Sequence, residues 1–186
     1  NIIRGNCDLS GLRKSLKKRS LVVEAADMIS TMVEKDPLKR PTALTVLSHP
    51  FFWSSAKKLE FLLKVSDRFE VERRDPPSPL LLQLEAKASK VILNGDWTTK
   101  FDKEFMENLG KYRKYSGSKL MDLLRALRNK YHHFMDLPED LAAVMGPIPN
   151  GFYDYFTLRF PNLLMVIYSL VKDKLGNDQI LSKFLN

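Results

Sequence analysis

Arginine, asparagine and histidine recur at helical spacing in one polar segment of this sequence. Arg125, Asn129 and His133 are each four residues apart, so on a helix they would form one row. Arg128 and His132 would form the row beside it. A guanidinium binds phosphate oxygens with two hydrogen bonds, an amide can orient them, and an imidazole can transfer a proton near neutral pH. Together on an exposed surface, these groups are typical of a site that binds or cleaves a phosphodiester.

The element that must position these groups is an amphipathic helix that begins at about Lys119. Ser116 and Ser118 are predicted to cap its first turn, with Gly117 breaking the chain before it. Basic residues on the exposed face of such a helix are most often only solvated, so the spacing alone names no reaction. The apolar residues of the opposite face recur at three- and four-residue steps: Leu120, Leu123, Leu124, Leu127, Tyr131 and Phe134.

The residues of this helix also carry a family resemblance. The run Leu-Leu-Arg-Ala-Leu-Arg-Asn-Lys-Tyr-His-His, followed by Leu-Pro-Glu, resembles the nuclease helix of the kinase-extension nuclease domain. That domain ends the inositol-requiring kinase/endoribonuclease of the unfolded protein response, and a relative of it ends ribonuclease L. The resemblance is fungal-like and extends over essentially the whole chain.

The resemblance implies four catalytic residues, which are Tyr115, Arg128, Asn129 and His133. His133 would be the general acid, and Arg128 and Asn129 would bind phosphate. Tyr115 would be a base or an orienting hydroxyl. A free tyrosine has a pKa of about 10, so it could be a base only if nearby cations lowered that pKa. The cations that could do so are Lys111, Arg113, Lys114 and Lys119.

The charge of the chain indicates an acidic partner, and nucleic acid is the first candidate. The sequence has 30 basic and 22 acidic residues, which gives a net charge of +8. RNA can be cut without a metal, because its 2′-hydroxyl can attack the neighbouring phosphorus and leave a 2′,3′-cyclic phosphate. The predicted RNA contacts lie in or near the helix: Lys111, Arg113, Lys119, Arg125, Lys130 and His132.

Neither a metal nor another cofactor is expected for RNA cleavage. The one cysteine, Cys7, excludes an internal disulfide and a cysteine-based zinc site. No cluster of carboxylates or of Cys and His in the sequence suits a metal ion.

The N-terminal part of the chain resembles the end of the large lobe of a protein kinase. The run Asp-Pro-x-x-Arg-Pro-Thr is followed by a short helix and by His-Pro-Phe-Phe. The kinase catalytic motifs are absent, so ATP or ADP and Mg²⁺ are expected only in a kinase part outside this chain. Arg40 lacks the glutamate with which the family pairs it, and His49 is interpreted as structural. Residues 1–53 are therefore predicted to end a kinase lobe and residues 54–186 to form the nuclease domain.

The predicted fold is all-α, with no convincing pair of strands. Residues 88–93 are ambiguous between helix and extended chain, and residues 161–174 are apolar nearly all round, which indicates a central helix. The aromatic segment 148–160 could stack RNA bases but is more often core. No apolar run approaches the roughly 20 residues of a membrane span. The resemblance places the parent protein, a single-pass membrane protein, at the cytosolic face of the endoplasmic reticulum membrane.

Two hypotheses of different class remain at this point. The chain is either an endoribonuclease that cuts specific RNA stem-loops, as in unconventional mRNA splicing, or a non-catalytic helical module for dimerisation or RNA docking. The intact set of catalytic residue types favours the nuclease. The resemblance further implies that the active form is a homodimer or a higher oligomer.

The two adjacent histidines are predicted to differ in role. His133→Asn should abolish RNA cleavage and leave the helical fold intact, because the residue lies on the polar face. His132→Asn should cost much less activity. Cleavage rates and circular dichroism of both variants test this, and an equal loss of activity would contradict the assignment.

Overall fold

The computed structural model describes residues 8–111 and 113–185, so Cys7, Tyr112 and the first part of the N-terminal segment lie outside it. Within the described residues the fold is all-α, as predicted, and no strand occurs. Short 3₁₀ turns lie at Pro37–Lys39, Pro50–Phe52, Trp97–Lys100, Phe134–Asp136 and Leu181–Phe184. The α-helices of these residues are α1 Leu12–Ser15, α2 Arg19–Met32, α3 Ala43–Leu47, α4 Ser55–Glu70, α5 Pro79–Glu85, α6 Ala88–Val91, α7 Lys103–Gly110, α8 Leu120–His132, α9 Glu139–Met145, α10 Asn150–Arg159 and α11 Leu163–Lys174. In this part of the chain, no helix is both long and apolar enough to span a membrane.

The packing of α4 against α8 is the main contact of the fold. α4 begins at Ser55 because the Ser54 hydroxyl accepts a hydrogen bond from the backbone of Lys57 at 3.2 Å. Its buried face includes Phe61, Val65 and Phe69, spaced by four residues. α8 turns its leucine face toward the same core, and two of its polar residues, Arg125 and Lys130, are buried as well.

α11 and the aromatic segment complete the core. α11 is buried on most of its circumference and packs against α2, α4, α5 and α6, as the apolar sequence predicted. Phe152, Phe156 and Phe160 of the aromatic segment are fully buried, and Phe101 stacks on Phe105 with ring centroids 4.1 Å apart. These rings are therefore core residues and are not available to stack RNA bases.

The kinase-like N-terminal part shares this core. The ammonium of Lys58 in α4 pairs with Glu24 of α2 at 2.6 Å, and both side chains are buried. His49 is also buried, with its ring donating to Asp27 and accepting from the backbone of Phe51, which fits its structural interpretation. Arg40 is exposed and donates to the Glu34 carbonyl. Elements on both sides of residue 54 thus pack together, and the domain boundary itself remains a prediction.

α8 begins at Leu120 because of a carboxylate from another helix. Glu85, the last residue of α5, accepts hydrogen bonds from the backbone of Leu120 at 2.8 Å and of Met121 at 3.1 Å. The predicted serine cap is wrong, since the hydroxyls of Ser116 and Ser118 contact each other instead. A carboxylate at a helix N-terminus satisfies free amides and interacts well with the helix dipole.

The cap predicts a measurable dependence of stability on Glu85. Glu85→Gln keeps the shape but loses the charge and one acceptor, so the free energy of unfolding should fall by about 1–2 kcal/mol in urea titrations. Glu107→Gln is the matched control, because Glu107 pairs only with exposed Lys103 at 3.4 Å and should cost under ~0.5 kcal/mol. Equal losses in the two variants would show that Glu85 does not cap α8.

Candidate active site

A cleft of about 810 Å³ opens between the C-terminal half of α8, the end of α7 and the segment before α8. It brings together three of the four predicted catalytic residues, Tyr115, Asn129 and His133. Its cations are Lys111, Arg113 and Lys130, and its remaining lining consists of Asn108, Leu109, Asp136, Leu137 and Pro138. Arg128, Lys119, Arg125 and His132 do not line the cleft.

The Tyr115 hydroxyl is fixed by α8 and by the loop that carries it. Asn129 donates a hydrogen bond to this hydroxyl at 2.7 Å. The loop is held by Trp97, whose indole donates to the Ser116 carbonyl at 3.0 Å and whose backbone donates to the Gly117 carbonyl at 2.9 Å. A side chain at Gly117 would place Cβ 1.8 Å from the Asp96 carboxylate, so this close approach requires glycine.

Burial, and not the neighbouring cations, controls the acidity of Tyr115. Burial raises the pKa of this phenol, and the hydrogen bond from Asn129 and the charge of Arg113 only partly oppose that effect. The condition under which Tyr115 could be a base, a pKa lowered by nearby cations, is therefore not met. The phenol stays protonated near neutral pH, and because Asn129 occupies an acceptor position, the O–H can be donated to a ligand in the cleft.

Lys130 is a nearly buried cation in the wall of the cleft. Its ammonium donates to the Asn108 side chain and lies 5.0 Å from the Phe105 ring centroid. Burial, with a contribution from the charge of Lys111, lowers the pKa of Lys130 to about 8. This residue can therefore both hold and release a proton close to neutral pH.

His133 and His132 lie in different surroundings. His133 is the C-cap residue directly after α8 and lines the cleft, and its Nδ1 lies 3.1 Å from Oδ2 of Asp136. His132 is exposed outside the cleft, and its ring contacts Tyr131 edge-on with centroids 5.6 Å apart. This difference in position agrees with the predicted order of the two histidines, whose catalytic roles stay predictions.

The prediction that Arg125 lies on the exposed face of α8 is wrong. Its side chain is 4% exposed and is paired with Glu70 at 2.5 Å and with Asp122 at 3.0 Å. The reason is helix geometry, because a step of four residues turns about 40° beyond a full revolution. Residues spaced by four therefore rotate gradually around the helix, so Arg125 lies against α4 while His133 is exposed to solvent. The buried guanidinium of Arg125 is therefore not available for a direct contact with RNA.

Arg128 also faces α4 rather than the cleft. Its guanidinium lies 3.4 Å from Asp67 and 3.4 Å from Glu70, and its side chain is 24% exposed. Lys119 is exposed at the start of α8.

Sequence reasoning missed Glu70 and Asn108, because only the fold brings α4 and α7 beside α8. It also missed Asp136, although its position three residues after His133 was a readable signal.

No group of three or more His, Cys, Asp or Glu side chains that could hold a metal occurs in the ranges 8–111 and 113–185.

The comparison with protein families gives a match to the ribonuclease 2-5A family over residues 58–185. This chain belongs to the ribonuclease 2-5A family. The matched region contains every residue of the cleft, so the cleft is a feature of the ribonuclease 2-5A domain.

Three relatives illustrate how far the similarity extends. A sensor for unfolded proteins in the endoplasmic reticulum, ire1 of Schizosaccharomyces pombe, is 51% identical over 100% of this chain and 17% of its own length. The serine/threonine-protein kinase/endoribonuclease IRE1 of Hypocrea jecorina is 45% identical over 92% of the chain and 13% of its own length. IRE1b of Arabidopsis thaliana, with the same description, is 42% identical over 87% of the chain and 18% of its own length. The chain thus spans less than a fifth of the length of each of these relatives.

The Glu70 contacts of this ribonuclease 2-5A domain predict a graded effect on stability. Glu70→Gln would leave the buried Arg125 without its main partner, so the free energy of unfolding should fall by about 2–4 kcal/mol in urea titrations. Asp67→Asn removes the same charge from the same helix at a half-exposed position, and should cost under ~1 kcal/mol. Losses of the same size would contradict the central role of Glu70.

Lys130 predicts a pH dependence of stability whose sign follows from its pKa. The pKa is about 8 in the folded protein and about 10.4 in the unfolded chain, so between these values the unfolded state binds more protons. The contribution of Lys130 to the free energy of unfolding should therefore rise as pH increases through this window. Lys130→Met should flatten the rise in urea titrations, whereas Lys103→Met on the exposed face of α7 should leave it unchanged. If the free energy of unfolding of Lys130→Met still rises with pH as in the parent, the rise is caused by other groups.

Proposed function

We propose that this chain is an endoribonuclease module that cuts RNA stem-loops without a metal or other cofactor, within a larger kinase/endoribonuclease of the unfolded protein response. The observation that carries the proposal is the cleft in which Tyr115, Asn129 and His133 meet Lys130. Family membership and the names of the relatives support it, since these are described as endoribonucleases and as a sensor for unfolded proteins. The proposed setting is the cytosolic face of the endoplasmic reticulum membrane.

The proposed reaction is attack of the RNA 2′-oxygen on the neighbouring phosphorus, which breaks the bond to the 5′ oxygen. The pKa of Lys130, about 8, makes its neutral amine accessible near neutral pH, and this amine is the candidate acceptor of the 2′ proton. His133 gives a proton to the departing 5′ oxygen. The products are a 2′,3′-cyclic phosphate and a 5′-hydroxyl.

Charge that gathers on the phosphoryl oxygens is met by donors from the cleft wall. The Tyr115 hydroxyl, oriented by Asn129, donates one hydrogen bond, and Lys111 and Arg113 add positive charge at the rim. Arg128 retains its predicted role as a phosphate ligand. To take it up, its guanidinium must exchange Asp67 and Glu70 for the phosphate.

The function is tested by incubating the purified chain with a stem-loop RNA in the presence of a chelator. We expect cleavage products with 2′,3′-cyclic phosphate ends, identified by mass spectrometry. An RNA with a single 2′-deoxy substitution at the cut site should bind but stay intact, because it lacks the nucleophile. His133→Asn, purified in parallel, controls for contaminating nucleases. RNA that binds without being cut would favour a docking module instead.

Self-association is the second part of the proposal. A cleft of this volume is the size of a site for one small ligand, so a single copy has little surface for a folded RNA loop. A two-fold partner would double the positive surface that neutralises phosphates.

We therefore expect the specific activity of the chain to rise with its own concentration. Sedimentation should show mostly monomer in dilute solution, and fusion to a strong dimeriser should raise cleavage at low concentration. The unfused chain mixed with the free dimeriser is the control. Flat specific activity with a monomer throughout would place the complete site within one chain.

A further inference from the structure

His133 has a carboxylate partner that its neighbour lacks. Nδ1 of His133 lies 3.1 Å from Oδ2 of Asp136, and both residues line the cleft. In the described part of the chain, no ion pair is found for His132. The two histidines therefore differ in a contact that can act on the chemistry of the ring.

The position of Asp136 is set by the backbone and by two apolar anchors. The backbone of His133 donates to the Asn129 carbonyl at 3.0 Å, and the backbone of Asp136 donates to the His133 carbonyl at 3.1 Å. Phe134 packs on Phe152 with ring centroids 5.8 Å apart, and Leu137 packs against the core. With these two side chains turned inward, His133 and Asp136 are turned outward together, with side-chain exposures of 71% and 75%.

This contact decides which ring nitrogen is available for reaction. An ionised carboxylate can only accept a hydrogen bond, so the contact requires a proton on Nδ1. Nε2 is then the nitrogen left to exchange a proton with a substrate. A partner that fixes the tautomer and the orientation of a catalytic imidazole strengthens proton transfer without touching the substrate.

We propose that Asp136 is a positioning residue for His133, holding its ring so that Nε2 delivers the proton to the departing 5′ oxygen. The inference rests on the proposed function, because His133 is the proton donor of that reaction. Asp136 touches neither the RNA nor the reacting atoms in this role.

If the Asp136 carboxylate is removed, a positioning role and a purely electrostatic role predict changes in different kinetic constants. An acidic group at the rim of an RNA cleft repels phosphate, so its loss on charge grounds alone should lower KM and leave kcat unchanged. Loss of a positioning contact should lower kcat, by about tenfold for one group that orients a general acid.

The kinetic test compares three variants on one stem-loop RNA. Asp136→Asn should lower kcat about tenfold without raising KM, and Asp136→Glu should restore most of it because its carboxylate can still accept from Nδ1. Asp140→Asn is the matched control, since it removes the same charge from the exposed first turn of α9. Unchanged kcat in Asp136→Asn, or an equal loss in Asp140→Asn, would overturn the proposal.

A spectroscopic test needs no RNA and so separates this inference from the proposed function. Nitrogen chemical shifts of the His133 ring report which nitrogen carries the proton in the neutral form. The parent should show the proton on Nδ1, and Asp136→Asn should move the population toward Nε2, while the His132 ring stays unchanged in both. A His133 tautomer that is the same in parent and variant would overturn the positioning role, even if the chain cuts RNA.

Discussion

The geometry of the candidate site depends on one buried ion pair between α4 and α8. Both carboxylate oxygens of Glu70, at the end of α4, accept hydrogen bonds from the buried guanidinium of Arg125, at 2.5 and 3.2 Å. Removing a guanidinium from water costs several kcal/mol, which only a well-placed partner offsets. α8 therefore cannot turn or slide on α4 without exposing unpaired charge. Because Asn129 and His133 lie one and two steps further along α8, the same pair fixes where they project.

The carboxylates of α4 also determine how the positive charge of the chain is distributed. Arg74, Arg125 and Arg128 lie within ion-pair distance of Glu70, and Asp122 and Asp67 add a second carboxylate to Arg125 and to Arg128. Arg113, at the rim of the cleft, lies 3.9 Å from Glu70. On the α4 side of α8, the arginines are thus largely neutralised by contact. On the cleft side, the ammonium of Lys130 donates to the neutral amide of Asn108, and no carboxylate of the described residues forms an ion pair with it. A net charge of +8 says only that cations are in excess, whereas these contacts decide where the excess can meet a phosphate.

The sequence predicted what depends on local pattern and failed where the answer depends on a distant element. The all-α fold and the buried α11 follow from periodicity rules that act within a few residues. The start of α8 does not, because Glu85 reaches it from α5. Burial of Arg125 and the raised pKa of Tyr115 likewise depend on which elements cover them. The candidate catalytic set came from the family resemblance, and helical spacing alone would have put Arg125 and His133 on the same surface.

Burial differs among the groups of the cleft and gives each one a different chemical character. Lys130 is nearly buried, and that burial makes its amine easy to deprotonate. Tyr115, half-buried, is kept as a phenol by the same effect, since burial disfavours an anion as well as a cation. His133 is largely exposed at the open end of the cleft, with its Nδ1 beside the Asp136 carboxylate. In the proposed reaction the 2′-hydroxyl therefore belongs beside the buried Lys130 and the departing 5′ oxygen beside the exposed His133.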